Sequence, residues 1–256
     1  MTPLMITLLV VAGIALLIAI GYMNHVVENN KLEKARTRIE LNDRLRRCGE
    51  ITETFPGQLM TAELKLLLTR LELNVCQRLL SLEKSDAAMK ERIAELNALV
   101  AQGESIPVNN PPAPIQTEAK AKDVRFLLEA LHGQITRAAH DGFLTTNEAK
   151  RWIREVRHLL VLLHIEFFNN LGQHALQQNQ PGQARLAFER GVQYLRKQQD
   201  PKVYAEQLDC LEKLLARANA QVMDNTAPAD GEVNQLTEGL KDAEADADWK
   251  KKVVYD

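Results

Sequence analysis

Cysteine, histidine and carboxylate side chains carry most nucleophilic, acid–base and metal chemistry, and their spacing decides which could act together. Cys48, Cys76 and Cys210 lie far apart and are odd in number. They form neither a metal-ligand spacing nor a disulfide framework, as expected of packed or exposed thiols in a reducing compartment. His132, His140, His158, His164 and His174 fall in helix-forming stretches with no carboxylate–cysteine arrangement around them. His158 and His164 are six apart, so a single helix does not present them on one face. The chain holds no GxxxxGK[ST], GxGxxG or GxSxG element, which leaves P-loop ATPase, dinucleotide-binding and α/β-hydrolase readings without support. The expectation is a protein that is not an enzyme, with no catalytic, cofactor-binding or metal residues.

One segment comes closer to metal chemistry. Asp141-Gly142-Phe143-Leu144-Thr145-Thr146-Asn147-Glu148 resembles the second half of a calcium-binding EF-hand loop, where Asp-Gly, an aliphatic residue and a final Glu recur. The first two ligand positions would be Arg137 and Ala139, a cation and a methyl in place of oxygen. The segment therefore reads as a helix boundary. Gly142 ends one helix, and Thr145 with Glu148 forms a capping box for the next.

The elements that must position these residues are helical, and the fold class is all-α. Leu, Ala, Glu, Gln, Lys and Arg dominate, while aromatics at 5% and 12 glycines are few for a β-rich fold. With 32 basic and 34 acidic residues, the net charge of -2 gives no nucleic-acid signature. Residues 1–23 are expected to be a transmembrane anchor. Leu4 to Met23 holds no charge, Asn or Gln and no Pro, and a helix of about 20 residues crosses the roughly 30 Å hydrocarbon core. The run is too long and lacks the basic n-region for a cleaved signal peptide, although Ala19-Ile20-Gly21 is a passable cleavage site. Lys31, Lys34, Arg36, Arg38, Arg44, Arg46 and Arg47 follow the run and none precedes it, which places the C-terminal body in the cytoplasm of a single-pass cell (inner) membrane protein.

Residues 24–102 read as a helical stalk followed by a hairpin or coiled coil. Leu32, Ala35, Ile39, Leu41, Leu45 and Cys48 give an imperfect stripe, which Phe55-Pro56-Gly57 breaks. Thr61 restarts a helix whose Leu64, Leu68, Leu71, Val75, Leu79 and Leu82 recur at three and four. Ser85 offers an N-cap for a further helix with Met89, Ile93, Leu96 and Val100 on one face. Residues 103–122 contain four prolines and no aromatic, and read as a semi-rigid spacer with nothing to bury.

Residues 123–223 form the second helical domain. Val124, Leu127, Leu128, Leu131 and Ile135 mark its first helix, and Trp152, Ile153, Val156, Leu159, Leu160, Leu163 and Phe167 a long second one. Then follow Phe168-x-x-Leu171-Gly172-x-x-Ala175, the turn Asn179-Gln180-Pro181-Gly182, and Ala184, Phe188 and Gly191. This pattern, over about residues 165–201, resembles a single degenerate tetratricopeptide (TPR) helical hairpin, with Ala175 where an aromatic is usual and Pro201 late. The resemblance implies two closely packed helices, with small residues at the crossing and Phe188 between them. Flanking helices must complete the stack, since one repeat cannot bury its own face, or the segment belongs to an ordinary bundle. Residues 224–256 form an acidic tail, with eight acids against Lys241 from Asp224 to Asp248, and read as disordered. The closing Trp249-Lys250-Lys251-Lys252-Val253-Val254-Tyr255-Asp256 could serve as a docking peptide or an anionic-lipid contact.

The expected function is a membrane-anchored cytoplasmic adaptor: residues 4–23 meet membrane lipid, and the helical domain takes an unidentified protein partner. The alternatives are a self-associating coiled-coil scaffold, hence a homo-oligomer, and an extracytoplasmic helical module of opposite topology. No nucleic-acid partner is expected.

Overall fold

The computed structural model describes residues 3–83 and 86–224, with the backbone alone over most of residues 3–19. The chain is all-α. Among the described residues there are seven α-helices, three short 3-10 segments and no strand. They are α1 (Pro3–Thr54), α2 (Ala62–Leu82), α3 (Ala87–Ala101), α4 (Glu118–His140), α5 (Thr146–Gln177), α6 (Pro181–Arg196) and α7 (Ala205–Asp224). Among the described residues no helix is long and apolar enough to cross a membrane. The expected anchor, residues 4–23, falls largely outside the described side chains, and the acidic tail and its closing basic cluster fall outside the described residues.

The chain divides into two units. The first takes the described part of Met1–Pro111 with Ala130–Lys150, and the second takes Pro112–Glu129 with the described part of Arg151–Asp256. The division falls between Pro111 and Pro112, within the stretch 103–122, and again inside α4 and inside α5.

In the first unit, α1 packs along α2 and α2 along α3. The buried positions of α1 are Leu41, Arg44, Cys48 and Ile51, continued by Phe55 beyond its end. They recur at three and four, the period of one helix face. This stripe differs from the expected one: Leu32 and Ile39 are exposed, and a charged residue, Arg44, occupies an inner position. Thr61 caps α2 by accepting the Leu64 N–H at 3.1 Å. The N-cap of α3 is Asp86, which accepts the Met89 N–H at 3.0 Å. The expected cap, Ser85, lies outside the described residues.

The proline-rich stretch differs from a bare spacer. Ile106 and Ile115 are 3% and 0% exposed. Asn110 donates from Nδ2 to the carbonyls of Thr52 and Phe55, both at 2.9 Å, and so closes the carboxyl end of α1. The Gly57 N–H donates to the Pro111 carbonyl at 3.0 Å. A Cβ on Gly57 would stand 2.1 Å from the Asn110 carbonyl oxygen, so only glycine fits there. Prolines carry no N–H to satisfy, which lets such a segment lie against helices with few polar groups left over. Its far end starts α4 five residues before the expected Asp123, with Thr117 accepting the Lys120 N–H at 3.3 Å.

In the second unit, α6 packs on α7, and Ala184, Phe188, Val192, Leu195, Tyr204, Leu211 and Ala218 share one buried cluster with Val161 and Ala175 of α5. The turn between α5 and α6 places Asn179 at φ 56, a left-handed conformation that asparagine tolerates. Pro181 then opens α6, where its missing N–H costs nothing.

Candidate functional site

The residues singled out for chemistry are taken up by the fold. At the EF-hand-like segment, Gly142 adopts φ 74 and ends α4, and Thr145 accepts the Glu148 N–H at 3.2 Å. The other half of the expected capping box is redirected, because the Glu148 carboxylate meets Arg70 at 2.9 Å. Asp141 is held between two arginines: its Oδ2 accepts from Arg44 Nη1 at 2.7 Å and from Arg78 Nη1. Partial burial raises the Asp141 carboxyl, but the hydrogen bonds and charges of Arg44 and Arg78 outweigh it and hold the group below its ordinary value. Both carboxylates of the segment are thus paired with cations. Nearby on α1, the exposed Arg46 and Arg47 share the Asp43 carboxylate at 3.0 and 2.8 Å.

Cys48 and Cys76 are fully buried, whereas Cys210 is exposed. Burial, with Glu72 adding repulsion and Arg44 opposing it, pushes the Cys48 thiol up to about 12. Burial and Glu72 push Cys76 up to about 11. Thiols so disposed are poor nucleophiles. Glu72 itself pairs across the α2–α3 contact with Arg92 at 2.7 Å. Among the described residues no three His, Cys, Asp or Glu side chains gather as a metal-ligand set.

The histidines of α5 face different partners, as their spacing requires. His158 meets the Tyr204 hydroxyl through Nδ1 at 3.0 Å and stacks on its ring. His164 donates from Nδ1 to the Leu160 carbonyl at 2.7 Å and stacks on Tyr194 with centroids 4.6 Å apart. Beside this aromatic packing, α6 comes very close to α5. A Cβ on Gly172 would lie 2.4 Å from Phe188 Cε1, and one on Gly191 would lie 3.2 Å from Phe168 Cβ and 3.0 Å from Leu211 Cδ1. Ala184 is 0% exposed. Small residues at these points set the helix separation.

The arrangement best suited to recognition lies on α5 and escaped the sequence reading. Glu166 and Asn170, one turn apart, hold Ile115 by its backbone. The Ile115 N–H donates to Glu166 Oε1 at 3.1 Å, and its carbonyl accepts from Asn170 Nδ2 at 3.1 Å. The side chain of Ile115 is wholly buried. Two polar side chains at i and i+4 thus satisfy both main-chain groups of one extended residue, and its side chain supplies the apolar contact. The available signal was an isolated aliphatic residue among prolines, together with the polar pair Glu166 and Asn170 four residues apart on α5.

Comparison with protein-family models, with characterised proteins and with solved structures gave no match to this chain.

Proposed function

We propose that the chain is a single-pass membrane-anchored adaptor, with a cytoplasmic body whose helical domain binds a protein partner. The observation that carries this reading is the form of α1. The uncharged run from Leu4 to Met23 heads one unbroken helix of 52 residues. From Gly21 to Arg36 every residue of that helix is exposed. A helix that leaves an apolar run and buries nothing until Leu41 suits a stalk that holds the body off a surface. Basic residues after the run support the cytoplasmic orientation.

Support for the TPR-like reading comes from the close approach at Gly172 and Gly191, from buried Ala184, and from α7 packing on α6. The likeness is confined to about residues 165–201, because α5 alone has 32 residues and a whole repeat has about 34. Topology is tested by a reporter fused after Asp256: fluorescent protein should fluoresce there and alkaline phosphatase should stay inactive. Active phosphatase would favour the extracytoplasmic reading. Crosslinking and pull-down from membranes tests the adaptor role, which fails if no other protein is captured.

Exposed Val26, Val27, Leu32 and Ile39 on the stalk favour a second reading, a self-associating scaffold. Sedimentation of residues 24–256 separates the two. A dimer or larger species without a partner supports the scaffold, and a monomer supports the adaptor.

A further inference from the structure

We propose that the Glu166–Asn170 face of α5 is a peptide-gripping groove held shut in cis by residues 112–116, and that it takes an extended, proline-flanked segment with an aliphatic residue in place of Ile115. The proposal rests on the adaptor reading and gives the partner a chemical class.

The grip has the form of peptide recognition more than of core packing. A residue in a helix or strand satisfies its backbone within the ladder. Ile115 lies in neither, and both of its backbone groups are satisfied by side chains of one helix, four residues apart. A carboxylate accepting a main-chain N–H makes a charge-assisted bond, stronger than a neutral one. These bonds read the backbone of the occupant, and the burial of Ile115 to 0% exposure reads one aliphatic side chain. Pro111, Pro112 and Pro114 precede it and offer no N–H of their own. They favour an extended backbone before docking, so less entropy is lost on binding. Leu159 and Leu163, both buried, continue the row of Glu166 and Asn170 along α5 at spacings of four, three and four. An incoming segment with proline before an aliphatic residue would meet the same donor, acceptor and apolar contact. It would have to displace residues 112–116, whose local concentration is high because they are part of the chain.

The test uses the full chain in detergent micelles and a fluorescein-labelled peptide of residues 107–118. Fluorescence anisotropy should show binding to a chain whose residues 112–116 are replaced by Gly-Ser-Gly-Ser-Gly, and at least tenfold weaker binding to the wild type. Adding Glu166→Ala and Asn170→Ala to the replaced chain should abolish that binding. A folded replaced chain that does not bind, or binding indifferent to those two substitutions, overturns the proposal. If the replaced chain fails to fold, the wild type decides the matter by hydrogen exchange. Excess peptide should speed exchange of the Ile115 amide, and an unchanged rate overturns the proposal. Peptide binding without any partner captured from membranes would leave the groove standing and remove the adaptor role. A captured partner whose yield is unchanged by Glu166→Ala with Asn170→Ala would keep the adaptor and remove the groove.

Discussion

A single carbon decides two of the residue-level predictions. Gly172→Ala would drive a Cβ into the Phe188 ring, which is wholly buried and has nowhere to turn. Overpacking of that kind costs about 1–3 kcal/mol. Gly133 in α4 has nothing within 4 Å of its Cβ position, so Gly133→Ala should stabilise by up to about 1 kcal/mol through helix propensity. Urea denaturation of both variants checks the contrast, and equal shifts would refute it. Asp141→Asn should cost about 2 kcal/mol at neutral pH, since the oxygen that accepts from Arg44 and Arg78 loses its negative charge where Arg44 is almost wholly buried. The folded carboxyl titrates below its unfolded value of about 3.9. Its stabilisation is therefore full above that pH and is lost as pH falls through the folded value. Wild type and variant should converge in stability as the pH falls through that folded value.

The carboxyl end of α1 depends on a residue far along the chain. Asn110→Ala removes both bonds that close the last turn of α1 and should cost about 1–2 kcal/mol. Amide exchange should quicken near Thr52–Phe55 and stay unchanged in α6. Helix starts and stops of this kind were largely legible: the break after Thr54, the restart at Thr61 and the stop at Gly142 each follow from one residue's backbone chemistry, whereas Pro181, read as part of a turn, opens α6. Arg44 shows what was not. Its spacing marks it as an inner position, yet its charge argues against burial, and only the remote Asp141 reconciles the two. Ile106, Asn110 and Ile115 were hidden for the same reason. A lone apolar or amide residue among prolines has no periodicity, and its partners Thr52, Phe55, Glu166 and Asn170 lie more than 50 residues away.

At the scale of the molecule, the length of α1 and the late start of its packing matter most. Its first buried position among the described side chains is Leu41, so deleting residues 1–23 should leave the thermal midpoint of the remaining chain within about 2 °C. Calorimetry of residues 24–256 against the full chain in detergent checks this. A large drop would mean that the amino-terminal half of α1 packs on the body. At about 1.5 Å per residue, the exposed stretch from Gly21 to Arg36 is roughly 24 Å long. Leu41 packs against Val75 and Leu79 while the turn at residues 55–61 joins the two helices, so α1 and α2 run antiparallel. A pull on the amino end of α1 would therefore slide it along α2. The Leu41 cluster and the Arg44–Asp141 tie would be strained side by side, in shear. Contacts that share tension yield together at high force, whereas contacts peeled in turn yield one by one at low force. Anchored as proposed, the body would resist a tug along its stalk far better than a sideways one.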